Sequence, residues 1–485
     1  MRRLLVCLCL MSACNEHELN DVSLTRWTQW VAGARIVEGP AKVDVLLVVD
    51  DSPSMHDQAG LLASNLEAIA EVYEGERLDY RIGVITTDVS GPDCATGRDG
   101  ALVRTSCRER LPSFVASVNH ESPAVDLRDV CIDSCPLDVV TTRPTSVEAE
   151  GLRRPRAWLE RGGAGQNTVA PVAALTCMGQ VGIAGCAAES PFGAVLHFLE
   201  RTEDRDDPDF GFMRPDAGLA IVFIGDEDDC SRGSASSLNG DASVSAACWR
   251  EAADCVEGDD GTSCSVANGR DLVDLEGFIE RLQFIDAQKR MISRADEQRV
   301  FVSAVAGVPL AFPERRQTFG PGDDPAFERA FGIGAGCVMG GAVAAPSVRT
   351  VKVAEAFEPW ESNVVSVCGS DWRSALACLP FESVRPLCLD IEPLGGDASM
   401  EESCVLMETR QGESRRLPEC VPQCEDEACD PLFAMPDGVD ACVEWRTRTV
   451  SEFCLDRGLA AEATILRREP SWDALEYEVT CAAEI

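Results

Sequence analysis

Positive charge is scarce in this chain. Its 43 Lys and Arg residues stand against 82 Asp and Glu, a formal net charge of −39. Only three of the cations are lysines, at positions 42, 289 and 352. Such a surface repels phosphate, which excludes nucleic acid as a partner. It favours solubility and draws cations instead. Histidine is scarcer still, with four residues at 17, 56, 120 and 197. None lies near a cysteine pair, which disfavours zinc. Beyond the N-terminus there is no run of about 18 apolar residues, so no later segment reads as membrane-spanning. The stretch 332–345 is apolar but short and Gly-rich. Gly-x-Ser-x-Gly, His-Glu-x-x-His and P-loop patterns are absent, which removes the commonest hydrolase and nucleotide signatures. No internal repeat is evident.

Cysteine, by contrast, is abundant, with 24 residues among 485. The chain opens Met1-Arg2-Arg3 and runs apolar from Leu4 to Ala13, a basic head and short apolar core as in an export signal. Met11-Ser12-Ala13-Cys14 looks like a bacterial lipobox with Cys14 as the lipidated residue, although Met11 departs from the usual Leu. Plain cleavage after Ala13 also fits; the short apolar run and the small residues favour lipidation. Setting aside Cys7, Cys9 and Cys14 leaves 21 cysteines scattered from 94 to 481. In an exported chain they read as a disulfide framework whose pairing the sequence does not give. Cys131-x3-Cys135 and Cys420-x3-Cys424-x4-Cys429 have zinc-like spacing, but an oxidising compartment makes disulfides the better reading.

The most informative segment is 43–55, Val-Asp-Val-Leu-Leu-Val-Val-Asp-Asp-Ser-Pro-Ser-Met. Its apolar part has the length and branching of a strand buried on both faces. Asp50, Ser52 and Ser54 stand where that strand stops, at the sheet edge where open α/β sheets bind ligands. A carboxylate and two hydroxyls make a hard-oxygen set, suited to Mg²⁺ or Ca²⁺ and not to zinc or copper. Ser54 or Asp51 also reads as an N-cap of the next helix, which is compatible with the same site. The segment 219–229 repeats the logic, with an apolar run followed by Gly225-Asp226-Glu227-Asp228-Asp229.

Asp50-x-Ser52-x-Ser54-Met55, directly after a buried strand, resembles the metal-ion-dependent adhesion site of von Willebrand factor A domains. Arg81-Ile82-Gly83-Val84 resembles the family's next strand. The resemblance implies that Asp226 completes the metal site from the neighbouring strand, although Gly-Asp-Glu-Asp-Asp replaces the family's usual Thr-Asp-Gly. It implies a further hydroxyl just before a helix; Ser190, in Glu189-Ser190-Pro191, is the positional match and Glu189 is its rival. The implied metal set is therefore Asp50, Ser52, Ser54, Ser190 and Asp226, holding Mg²⁺ (or Ca²⁺ or Mn²⁺). Neutral serines would leave the ion undercompensated and open to a partner's acidic side chain. The remaining acids, 227–229, could strengthen cation binding, form a separate calcium site, or be a solvated turn; the last is preferred for Glu227 and Asp229. His56, beside Met55, reads as a surface or capping residue.

Helical spacing over 55–74 (Leu62, Leu66, Ile69, Tyr73) and over 185–203 (Val195, Phe198, Leu199) alternates with strands near 80–88, 219–225 and 299–307. A helix is also expected over 271–282, and a Cys-bearing turn and helix over 364–379. This predicts an α/β fold with a doubly wound, mostly parallel sheet. The expected organisation is a signal at 1–13 and a lipid-anchored tether at 14–40. A domain at 41–380 follows, with disulfide-stapled insertions near 90–178 and 232–268. A hairpin is expected near 100–116. Residues 381–485 read as a small Cys-rich β region ending in a hairpin of 463–467 with 475–481. The expected protein is a non-enzymatic cell-envelope binding or adhesion protein, an outer-membrane lipoprotein by its N-terminus, engaging a protein partner through the cation. A metal-dependent envelope hydrolase and a structural scaffold with a vestigial site are the alternatives.

Overall fold

A computed structural model describes residues 42–75, 79–117, 124–147, 150–162, 165–233, 243–258, 261–267, 271–293, 299–313, 317, 319–321, 324–357, 363–373 and 375. It also describes 27–31, 36–38, 387–389, 404–410, 412–422, 433–434, 436, 438–446, 461–467 and 475–484. The export signal and Cys14 lie outside the described residues. The chain divides into two compact units. One comprises Glu38–Ser383 with Glu469–Ala474; the other comprises Met1–Val37, Val384–Arg468 and Leu475–Ile485.

The larger unit is built on one sheet. Its strands are β2 (Lys42–Val49), β3 (Asp79–Thr86), β4 (Leu159–Gly162), β5 (Gly165–Gln166), β6 (Gly218–Ile224), β7 (Val300–Ala306) and β10 (Val364–Ser366). They lie in the order β5-β4-β3-β2-β6-β7-β10. Every pairing between neighbours from β3 across to β10 is parallel; only the β3–β4 and β4–β5 pairings are antiparallel. The chain moves outward from β2 to β3 on one side, and later from β6 to β7 and β10 on the other. The crevice beyond the ends of β2 and β6 is therefore the switch point of a doubly wound sheet. Between β7 and β10 a two-stranded hairpin, β8 (Cys337–Met339) with β9 (Ala342–Ala344), takes up the apolar, Gly-rich stretch.

Helices cover both faces, because β2 buries both sets of alternating side chains. Val45, Leu47 and Val49 enter one core with residues of α1 (Ala59–Gly75) and α2 (Pro171–Gly179). Leu46 and Val48 enter the other, with α3 (Pro191–Glu203), α5 (Leu275–Ser293) and α6 (Arg349–Ala356). A fully buried Val or Leu contributes roughly 1.5–3 kcal/mol relative to exposure, so this strand alone anchors both layers. Leu62, Leu66, Ile69 and Tyr73 form the buried face of α1, as their spacing requires.

The insertion after β3 is held by Cys94–Cys186, Cys107–Cys131 and Cys135–Cys177. No hairpin forms at 100–116: residues Cys107–Phe114 are a 3₁₀ helix opened by a capping box of Ser106 and Glu109. The second insertion carries α4 (Val244–Ala252) and a short hairpin, tied by Cys230–Cys248 and Cys255–Cys264. The described cysteines of the zinc-like spacings form disulfides: Cys131 and Cys135 take separate partners, and Cys420 pairs with Cys442, while Cys424 and Cys429 lie outside the described residues. Residues 364–366 form the edge strand β10 and the expected Cys-bearing turn follows it, with Cys368 bonded to Cys337; α5 begins at Leu275, later than the expected Asp271.

The smaller unit is all β where it is described. One sheet contains β1 (Trp27–Val31), β16 (Leu475–Glu484), β12 (Cys404–Arg410) and β13 (Glu413–Arg416), in that order. A second contains β11 (Leu387–Leu389), β15 (Ala461–Arg467) and β14 (Ala441–Arg446). Two expectations are corrected here. The 14–40 segment is not only a tether, since β1 pairs with β16 along its whole length. The terminal strands do not form a hairpin with each other. The Cys404–Cys481 disulfide and the β12 pairing hold β16 in one sheet, while β15 pairs with β11 and β14 in the other. Both strands have the alternation of half-buried strands, and alternation does not specify a neighbour. With eight disulfides among the described residues, the protein belongs to an oxidising, extracytoplasmic compartment. None of the described helices is long and apolar enough to cross a membrane.

Candidate metal centre

β2 and β6 pair in register up to Val49 opposite Ile224, and the Asp50 N–H extends the ladder to the Ile224 carbonyl at 2.9 Å. Asp50 and Asp226 therefore emerge side by side. Gly225 keeps the approach open, because a Cβ there would stand 3.1 Å from Asp50 Oδ2. Asp50 Oδ1 accepts the Ser52 N–H at 2.8 Å, which folds the chain back over its own carboxylate. The Ser52 and Ser54 hydroxyls meet at 2.7 Å. Ser54 Oγ also lies 2.9 Å from Asp226 Oδ1 and 3.2 Å from Glu227 Oε1. Four of the five expected metal residues, Asp50, Ser52, Ser54 and Asp226, are thus brought together. Asp50, Ser52 and Asp226 are buried, whereas Ser54 and Glu227 are partly exposed.

Ser190 is the exception. Its hydroxyl donates to the Ala188 carbonyl at 3.4 Å and its N–H to the Thr87 carbonyl at 3.1 Å. The preceding residue, Glu189, is the one that enters the cluster: its carboxylate lies beside that of Asp50 and accepts the Thr87 hydroxyl. Pro191 starts α3 and leaves Ser190 as its N-terminal flank, so the side chain one residue earlier faces the site.

The acidic turn after β6 is not solvated. Glu227 joins the cluster and also accepts the Ser245 hydroxyl at 3.1 Å. Asp228 caps α6, accepting the N–H groups of Val348 at 2.9 Å, Arg349 at 2.9 Å and Thr350 at 3.1 Å. Asp229 is buried and pairs with Arg349 Nε at 3.0 Å. Every carboxylate of the turn is partnered, Asp226 and Glu227 through Ser54 and Asp228 and Asp229 through Arg349, which composition alone does not reveal. His56 points Nδ1 at the carbonyls of Pro53 and Ser54, at 3.0 and 3.1 Å.

Burial, followed by the negative charges of Asp50 and Glu227, pushes the carboxyls of Asp226 and Glu189 well above the usual range. Burial likewise raises Asp50, against the pull of the Ser52 N–H. Glu227 is pushed up to about 8 by burial and then by Asp50. No Arg, Lys or His bonds to any of the four carboxylates among the described residues. Glu189 Oε1 is buried with no hydrogen-bond partner. Asp50 and Asp226 with the Ser52 and Ser54 hydroxyls between them fit a hard divalent cation, which would supply the missing positive charge. The carboxylates are interleaved with hydroxyls rather than packed as an all-acid cage. Among the described residues only Asp88, Cys94 and Cys186 bring three acid or thiol donor atoms within 4.8 Å of one another, and their sulfurs form a disulfide.

No family model matches the sequence, and no curated protein matches it. Solved structures do. The pilus adhesin SpaC from Lactobacillus rhamnosus GG, in its open conformation, is 7% identical over 94% of this chain and 42% of its own, with a TM-score of 0.31. A von Willebrand factor type A protein from Catenulispora acidiphila is 8% identical over 94% of this chain and 65% of its own, with a TM-score of 0.27. Proximal thread matrix protein 1 from the mussel byssus is 9% identical over 70% of this chain and 47% of its own, with a TM-score of 0.26. The chain spans less than two thirds of each of these structures.

Proposed function

We propose that this is an exported, non-enzymatic binding or adhesion protein of the cell envelope, tethered through a lipidated Cys14, that engages a protein partner through a divalent cation. The ion is held by Asp50, Ser52, Ser54 and Asp226, as in the adhesion site of von Willebrand factor A domains. The observation that carries this reading is the meeting of Asp50 and Asp226 around the Ser52 and Ser54 hydroxyls at the switch point of the sheet. A hard ion in that crevice keeps a position for an outside oxygen donor, which the partner supplies. We take the partner's donor to be an acidic side chain, since the two serine hydroxyls add no negative charge to the ion's shell.

The test is a pull-down from envelope extract on immobilised protein. Partner capture is expected with Mg²⁺ or Ca²⁺ and is expected to vanish with EDTA and with Asp50→Ala. Capture that persists unchanged in both conditions contradicts the reading.

A further inference from the structure

We propose that the Cys255–Cys264 disulfide is a thiol–disulfide exchange site, which takes two electrons from an outside protein dithiol while the fold stays intact. The bond joins the strands Ala253–Gly258 and Gly261–Val266 of the hairpin that follows α4. Cys255 is exposed. Cys264 is half-buried and packs against the apolar cluster of Trp249, Ala253, Ile333 and Val348. The other seven described disulfides lie deeper. Six of them have both cysteines buried, and in Cys94–Cys186 only Cys186 is partly exposed. An attacking thiolate must reach a sulfur, so access decides which bond exchanges, and exposed disulfides are the labile ones.

The hairpin does not depend on this bond. Its strands pair continuously from Ala253 opposite Val266 to Gly258 opposite Gly261. The Ala267 N–H closes the base on the Ala252 carbonyl at 2.9 Å, and Cys230–Cys248 ties α4 down separately. The bond also closes the shortest sequence separation among the described disulfides, 9 residues. Chain-entropy reasoning therefore makes it the least stabilising of them. Access, rather than the way the strands pair, marks it out. Cys404–Cys481 also links residues directly opposite each other in antiparallel strands, with the same Cα separation of 4.1 Å, yet both of its cysteines are buried. In the exchange, a thiolate of the dithiol bonds to Sγ of Cys255, and the Cys264 sulfur leaves as a thiolate that takes up a proton. The second thiol of the dithiol then loses its proton and attacks the dithiol's own sulfur in that mixed disulfide. Cys255 is released as a thiolate, and the dithiol is oxidised to a disulfide.

The experiment is timed reduction of the native, oxidised full-length protein with dithiothreitol, quenched with iodoacetamide and mapped by peptide mass spectrometry. Cys255 and Cys264 are expected to be alkylated at least about tenfold faster than the cysteines of the other seven described disulfides, Cys404 and Cys481 among them. The melting transition should survive that first step. With glutathione as the probe, the mixed disulfide should form on Cys255 ahead of Cys264. Reduction of Cys255–Cys264 no faster than Cys404–Cys481 overturns the proposal, as does reduction that comes only with loss of the melting transition. The paired Cys255→Ser and Cys264→Ser variant gives a second reading. It should fold and melt cooperatively; a variant that does not fold shows the bond to be structural and also overturns the proposal.

Discussion

One hydroxyl, that of Ser54, touches Ser52, Asp226 and Glu227. Ser54→Ala removes the hydroxyl that those two acids share, and cation affinity should fall by about tenfold or more in a direct titration. The acids also predict a pH dependence. A carboxyl whose pKa is raised by folding binds its proton more tightly folded than unfolded. It therefore stabilises the cation-free fold at low pH, and that contribution is lost as pH rises through the raised pKa. For Glu227 the loss runs from the ordinary carboxylate range up to about 8. The melting temperature in EDTA should fall between about pH 5 and pH 8, and Ca²⁺ should recover much of the loss at the upper end. A melting temperature that is flat with pH in EDTA would contradict this. At the residue scale, Asp50, Ser52, Ser54 and Asp226 were legible because each follows directly from a strand end. Ser190 was misread for Glu189 because a one-residue offset at a helix start reverses which side chain faces inward. Glu227 was misread because an acid next to an acid looks solvated until its partners, Ser54 and Ser245, are known.

The five-residue turn after β6 links the site to the scaffold. Asp226 and Glu227 face the cluster, Asp228 caps α6, and Asp229 holds Arg349 inside the protein. Asp228→Ala should cost about 1 kcal/mol, a typical cap value. Asp229→Ala should cost more, about 3–5 kcal/mol, because it strands the buried Arg349 guanidinium. Chemical denaturation of the two variants measures both costs; equal small losses would argue that Arg349 finds another partner. The elements β2, β3, β6 and β7 were readable in the sequence because continuous apolar runs of strand length bury on both faces. The 107–114 segment was not, since its capping box competes with a hairpin reading of the same polar residues. Strand partners were also hidden: β15 and β16 each alternate, and which sheet β16 joins is seen only from its pairing with β1 and β12 and from the Cys404–Cys481 link.

For the whole molecule, charge and cysteine content decide the setting. A net charge of −39 leaves the protein rich in carboxylates with few lysines to pair them, which suits cation binding and repels phosphate. The disulfides staple both insertions of the larger unit and both sheets of the smaller one. Cys404–Cys481 closes a separation of 77 residues, and chain-entropy reasoning gives it about 4–5 kcal/mol. The paired Cys404→Ser and Cys481→Ser variant should lose stability of that order on denaturant unfolding. The central claim, that Asp50, Ser52, Ser54 and Asp226 share one hard cation, is tested most directly by anomalous diffraction from crystals grown with Mn²⁺. A single strong peak is expected within bonding distance of the Ser52 and Ser54 hydroxyls and the two aspartates. Crystals grown at saturating Mn²⁺ that show no peak there, or a peak only at surface acids elsewhere, would contradict it.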